Sequence, residues 1–96
     1  MKIYLNKFGT TLFSRQLGKE AYNAFLPSLK NIEKNEKIEI IFDGVNTFSP
    51  SWGDEFLTKL MNNFKGKVIL KKSDNLSVQT TLEMLEEIHG YKFIFI

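Results

Sequence analysis

The apolar residues of this chain switch repeatedly between a spacing of two and a spacing near three and a half, and that alternation limits the folds open to it. Ile3 and Leu5 alternate with Tyr4 and Asn6, which predicts a first strand ending before Gly9. Leu17, Ala21, Ala24 and Phe25 then recur at helical spacing, behind a Ser14 suited to the N-cap. Pro27 has no N–H to donate, so it ends or kinks this helix, with one further turn through Leu29 and Ile32 as the alternative. The polar residues 33–37 form a solvated connection to a second strand in which Ile38, Ile40 and Phe42 alternate with Glu39 and Ile41, ending near Asp43 and Gly44. Trp52, Phe56, Leu60 and Phe64 are spaced by four, with Leu57 and Met61 beside them, and predict a helix over 50–63 that Lys65 and Gly66 stop. Val68, Ile69 and Leu70 make a third strand, Leu82, Leu85 and Ile88 mark a third helix ended by Gly90, and Phe93, Ile94, Phe95 and Ile96 make a last strand apolar on both faces.

Strands alternating with helices are the pattern of right-handed parallel crossovers. The expected fold is therefore α/β: a four-stranded, mostly parallel or mixed sheet with three helices in the order β-α-β-α-β-α-β. With 96 residues, one domain spanning 1–96 is expected. The chain has no cysteine, which excludes disulfides, thiolate nucleophiles and cysteine zinc sites, and its single histidine, His89, cannot build a multi-histidine metal centre. A net charge of +2 advertises neither nucleic acid nor an anionic membrane. No apolar run approaches the ~20 residues that span a bilayer, and the amino-terminal residues lack the pattern of a secretory signal, so a cytoplasmic home is expected.

In a parallel sheet every strand-to-helix connection leaves from the carboxyl edge, where open sheets receive ligands and partners. Ser14 and Arg15, residues 43–55 and residues 73–77 should line that rim. The richest part is the passage from Phe42 to Leu57. Ser49 before Pro50 reads as an N-cap with proline at the first helical position, and Asp54 and Glu55 follow near the first turn, where the helix dipole favours anions. Ser51 with Asp54 also fits a capping box, so either serine could cap.

A strand ending in Asp43-Gly44-Val45, then Phe48-Ser49-Pro50-Ser51-Trp52 opening a helix, then Gly53-Asp54-Glu55-Phe56-Leu57, resembles the bacterial STAS-like domains, an uncharacterised group related to the anti-sigma-factor antagonists. Leu12-Phe13-Ser14-Arg15 and the stretch from Asp74 to Leu82 extend the likeness over nearly the whole chain. The resemblance implies a small module without catalysis or cofactor that binds a partner protein in signalling. In the antagonist relatives that partner is an ATPase of the histidine-kinase type, and phosphorylation of a serine at the start of the central helix abolishes binding. Here Pro50 stands at the acceptor position, which leaves Ser51 as the nearest phosphoacceptor. The partner-binding set is accordingly Ser14, Arg15, Ser49, Ser51, Trp52, Asp54 and Glu55.

Several residues carry competing readings. Arg15 opens a helix at the end whose dipole repels cations, so it either pairs with Asp43 or Asp54 or builds an anion site. Trp52 is core by its spacing to Phe56, or a partner-facing anchor. Asp43, Asp54, Glu55 and Asp74 follow no metal-loop spacing, so no metal is expected. No serine sits in a nucleophile elbow, and His89 suits a helix carboxyl terminus beside Gly90, so no enzyme is expected. Lys65, Lys67, Lys71 and Lys72 surround the third strand and support the alternative, a nucleic-acid-binding regulator; a binder or hydrolase of small phosphate ligands at the rim ranks last. An exposed apolar edge at residues 93–96 would invite pairing, so this strand should be central or covered by a neighbour, with a weak monomer–dimer equilibrium.

Overall fold

The computed structural model describes residues 1–96. Strands β1 (Lys2–Tyr4), β3 (Ile38–Ile41) and β5 (Val68–Leu70) form a parallel sheet in the order β1-β3-β5, and β2 (Thr11–Leu12) pairs in parallel with β4 (Thr47–Phe48) in a second, two-stranded sheet. Helix α1 (Arg15–Leu29) follows β2, and α4 (Leu76–His89) follows β5. Between them, α2 (Pro50–Gly53) and α3 (Lys59–Asn63) are joined by a π-helical turn over Asp54–Thr58, so the central helix is one rod with an overwide middle. No helix is long and apolar enough to cross a membrane.

The single four-stranded sheet expected from the sequence does not form. Strands of two residues, such as β2 and β4, are too short to leave a period, and they peel away to form their own pair. The last segment does run beside β5, but it contributes only one parallel bridge, Leu70 to Phe95. It is an edge and not a central strand: Phe93 is buried, whereas Ile94, Phe95 and Ile96 are 57%, 42% and 55% exposed.

Because β1, β3 and β5 are laid down in chain order, right-handed crossovers put every helix on one face. Ile3, Ile38, Ile40, Val68 and Leu70 point into that side and join the core, while Ile41, on the alternate side of its strand, is buried yet outside the core cluster. The aromatic centre of the core is built on the four-residue spacing of the central helix. Trp52 stacks on Phe56 with ring centres 5.0 Å apart, Tyr22 meets Phe56 edge-on at 5.7 Å, and Phe8 lies 5.3 Å from Phe56. Such pairs add about 0.5–1.5 kcal/mol each beyond burial.

The face of α1 is turned from the one its apolar spacing suggests. Gly18, Ala21, Tyr22, Phe25 and Leu29 are buried, whereas Leu17 and Ala24 look outward. Gly18 is the cause: a β-carbon there would lie 2.7 Å from the Trp52 carbonyl oxygen, so α1 crosses α2 backbone to backbone at a residue without a side chain. Pro27 neither ends nor interrupts the helix before Leu29, because it lies on the solvent side where the unpaired Asn23 carbonyl can meet water. In α4, Val78, Thr81, Leu82 and Leu85 are buried, but Ile88 is exposed.

Candidate functional site

Three helices begin side by side at the carboxyl rim, each capped by a side chain. Ser14 Oγ accepts from the Leu17 N–H at 3.0 Å, Ser49 Oγ from the Trp52 N–H at 3.2 Å, and Asn75 Oδ1 from the Val78 N–H at 3.0 Å. The caps also tie the starts together. The Ser49 hydroxyl donates to the Phe13 carbonyl at 2.6 Å, Ser77 Oγ accepts from the Phe48 N–H at 3.0 Å, and the Asn75 amide donates to the carbonyls of Val45 and Asn46 at 3.2 and 3.1 Å. Of the two serines that could cap the central helix, Ser49 does so. Ser51 lies inside α2, half-buried, with its hydroxyl making no hydrogen bond to a protein group, which removes the capping-box reading.

Trp52, one of the residues expected at the interface, is buried in the aromatic core and offers nothing to a partner. The rim's apolar surface comes from residues outside the expected partner-binding set, one of which, Leu17, was expected in the apolar stripe of the first helix. Phe13 is 60% exposed, Leu17 52% and Leu76 77%, all at the starts of α1 and α4. The signal was available: Phe13 and Leu76 stand immediately before or at a capped helix start, outside the stripe that faces the core.

One turn into the central helix, the charges form a connected group. Arg15 donates to Asp54 Oδ2 at 3.1 Å and to Glu55 Oε2 at 2.7 Å. Lys59 meets Glu55 Oε1 at 2.8 Å, and His89 Nε2, from the last turn of α4, lies 2.6 Å from Asp54 Oδ1. Arg15 thus pairs with Asp54, as one reading had it, and with Glu55; Asp43 instead meets Lys71 at 3.2 Å. With two carboxylates on its guanidinium, Arg15 is already satisfied, so an incoming anion would have to displace them. The bonds it donates to Glu55 and then to Asp54 raise the Arg15 pKa. Glu55 is held below the ordinary carboxylate range, first by Lys59 and then by Arg15. Burial pushes Asp54 upward, but the bonds with Arg15 and His89 outweigh it and leave its pKa lowered. Beside this group, the Tyr91 phenol is hydrogen-bonded to Thr58 at 2.8 Å and stacks on His89 with ring centres 5.4 Å apart. Burial raises the Tyr91 pKa, with the Thr58 bond opposing in part.

The four acids considered for a metal are split between these pairs, with Asp74 apart on the loop before α4, and no three of them converge. The lysines near β5 are partly engaged at home. Lys67 donates to the carbonyls of Glu33 and Lys34, and Lys71 is paired with Asp43.

Neither the curated proteins nor the solved structures contain a match to this chain. A family model described as a STAS-like domain of unknown function (DUF4325) matches residues 18–78, from the Gly18 crossing through the central helix to the first turn of α4. That span covers well over half of the chain and holds most of the rim, and the chain therefore belongs to the STAS-like domain family of unknown function.

Proposed function

We propose that this chain is a non-enzymatic protein-interaction module of bacterial signalling whose partner is an ATPase of the histidine-kinase type, bound through the rim of helix starts. The observation that carries the reading is the exposure of Phe13, Leu17 and Leu76 around the capped start of the central helix. Large apolar side chains held outward on rigid, hydrogen-bonded elements are what a protein partner buries at the centre of an interface. Ser14, Arg15, Ser49, Asp54 and Glu55 frame them with polar and charged groups, and Ser51 stands among them with its hydroxyl free of intramolecular bonds. Binding rather than catalysis is further supported by the state of the polar groups, since Ser49 is spent on the cap and the only histidine is tied to Asp54. No observation in the lysines around β5 favours nucleic acid over this reading.

Purified chain titrated with histidine-kinase-type ATPase domains of the same organism tests the reading. One domain is expected to bind, and Phe13→Ser together with Leu76→Ser should weaken it at least about tenfold, the loss typical of removing interface anchors, with the melting temperature little changed. Binding by none of these domains, or wild-type affinity in the double variant, would overturn the reading.

A further inference from the structure

Strands β3 and β5 are parallel neighbours that start level, with Ile38 beside Val68, so the connections leading into them lie side by side at the amino edge of the sheet, away from the rim. Two lysines brace these connections. Lys37 Nζ donates to the Gly66 carbonyl at 2.9 Å, and Lys67 Nζ reaches back to the carbonyls of Glu33 and Lys34. Between them lies a cleft of about 350 Å³ that no apolar side chain lines; Lys34, Lys37, Lys65 and Lys67 surround it with one carboxylate, Glu36. A carbonyl is a hydrogen-bond partner but not a counter-charge, and each ammonium has three donors, so Lys37 and Lys67 keep their charge and a free N–H. Lys34 and Lys65 make no side-chain bond within the chain. Lys30, Lys34, Lys37, Lys65 and Lys67 against Glu33 and Glu36 leave this end at +3, so the rest of a chain whose total is +2 is slightly acidic. The lysines that cluster around the third strand in the sequence are thus split by the strand itself, with Lys71 and Lys72 carried to its other end.

We propose that this cleft binds a chain of phosphoryl groups, either inorganic polyphosphate or the phosphate tail of a nucleotide. Cations of one sign lining a concave wall focus their field on the space they enclose and draw an anion into it. Lysine ammoniums bind phosphate oxygens as point charges, and two of the four are already held in place by carbonyls, which lowers the ordering cost of binding. The volume falls within the range of small-ligand clefts, about 300–1,000 Å³, and leaves room for more than one phosphoryl group. Such clefts ordinarily hold a ring against apolar and aromatic walls. This one has none, so it recognises charge and is indifferent to a base. For the same reason it does not suit single-stranded nucleic acid, which asks for aromatic side chains on which bases stack. Glu36 does not cancel the field: counted at full charge, it still leaves the wall at +3, and its Oε1 is turned to the Glu33 N–H at 3.2 Å.

Calorimetric titration of the whole chain with sodium tripolyphosphate, free of divalent cations and in about 0.1 M salt, should give a dissociation constant on the order of 0.1 mM. Inorganic phosphate should bind at least about tenfold more weakly, because it meets fewer ammoniums at once. Lys34→Gln together with Lys65→Gln removes two charges that no bond within the chain uses, so the fold is kept, and the dissociation constant for tripolyphosphate should rise at least about tenfold. Lys19→Gln together with Lys72→Gln removes the same charge from the rim half of the molecule. It should change the constant less than about twofold, since exposed charges farther apart than the Debye length of about 10 Å are screened. In amide spectra, the signals of residues 34–37 and 65–67 should move on titration. ATP as a second titrant decides the source: an affinity like that of tripolyphosphate assigns a nucleotide tail, and a clearly weaker one assigns the inorganic chain, either result keeping the cleft. No binding, equal affinity for phosphate and tripolyphosphate, equal losses in the two double variants, spectral shifts centred elsewhere, or binding seen only with duplex DNA or anionic vesicles would each overturn the proposal.

Discussion

The Ser49 hydroxyl donates to the Phe13 carbonyl at 2.6 Å while accepting from the Trp52 N–H, so one oxygen caps the central helix and pins the start of α1 against it. Ser49→Ala removes both bonds and is expected to cost about 1–2 kcal/mol. Ser51→Ala, two positions on, removes none and should stay within about 0.5 kcal/mol of the wild type. Urea denaturation of the two variants separates them, and equal losses would mean the cap is shared.

The Gly18 crossing is the tightest contact between helices that the rim depends on. Gly18→Ala improves helix propensity by about 1 kcal/mol, yet its β-carbon would sit 2.7 Å from the Trp52 carbonyl oxygen and 3.2 Å from the Glu55 β-carbon. A backbone atom cannot swing aside, so the helices must separate, and a net loss of about 1–3 kcal/mol is expected. Chemical denaturation measures it, and a variant as stable as wild type would show that α1 shifts freely.

Acid should weaken the fold through the Arg15 group. Asp54 and Glu55 both have lowered pKa values in the folded chain, so the unfolded chain takes up their protons first as pH falls. Their contribution is fully present above the ordinary carboxylate value of about 4 and is lost as pH drops through their lower folded values. Asp54→Asn is expected to flatten the stability profile below about pH 5. Urea midpoints measured across the acid range check this, and an unchanged acid limb would assign the loss to other carboxylates, Glu36 beside the terminal ammonium first among them.

Ser51 offers the test of a phosphorylation switch. A phosphate there would add about −1.5 to −2 charges in the first turn of a helix, where the dipole favours anions, so Ser51→Glu should keep the fold. It would also place negative charge beside an interface that already carries Asp54 and Glu55. Binding of the ATPase partner is therefore expected to fall at least about tenfold, since a charge covered by a partner without an opposite charge to meet it keeps its desolvation cost. Calorimetric titration reads the affinity, and a Ser51→Glu variant that binds as wild type would remove the switch while leaving the rim as the interface.

The alternation of three main strands with three helices, the Ser14 cap and the burial pattern of the central helix were legible in the sequence, because each depends on neighbours within a few positions, an apolar period or a serine before a turn; the two-residue strands β2 and β4 left no such pattern, and the choice of Ser49 over Ser51 as the central cap was left to the structure. Residues 52–60 could be read this way since their burial follows their own spacing, whereas in 38–42 Ile41 is buried against the alternation. Four features depended on contacts between distant segments and only the tertiary structure decided them. The turned face of α1 follows from a backbone approach at Gly18 to a residue 34 positions away. The split into two sheets follows from β2 and β4 finding each other across 36 positions of chain. Arg15 chose Asp54 and Glu55 over Asp43 because α1 crosses the central helix, leaving Asp43 to Lys71. Finally, residues 93–96 are apolar on both faces in the sequence, which suits a central strand and an open edge equally; the crossover through α4 carries them to the outer side of β5, where a single bridge joins Phe95 to Leu70.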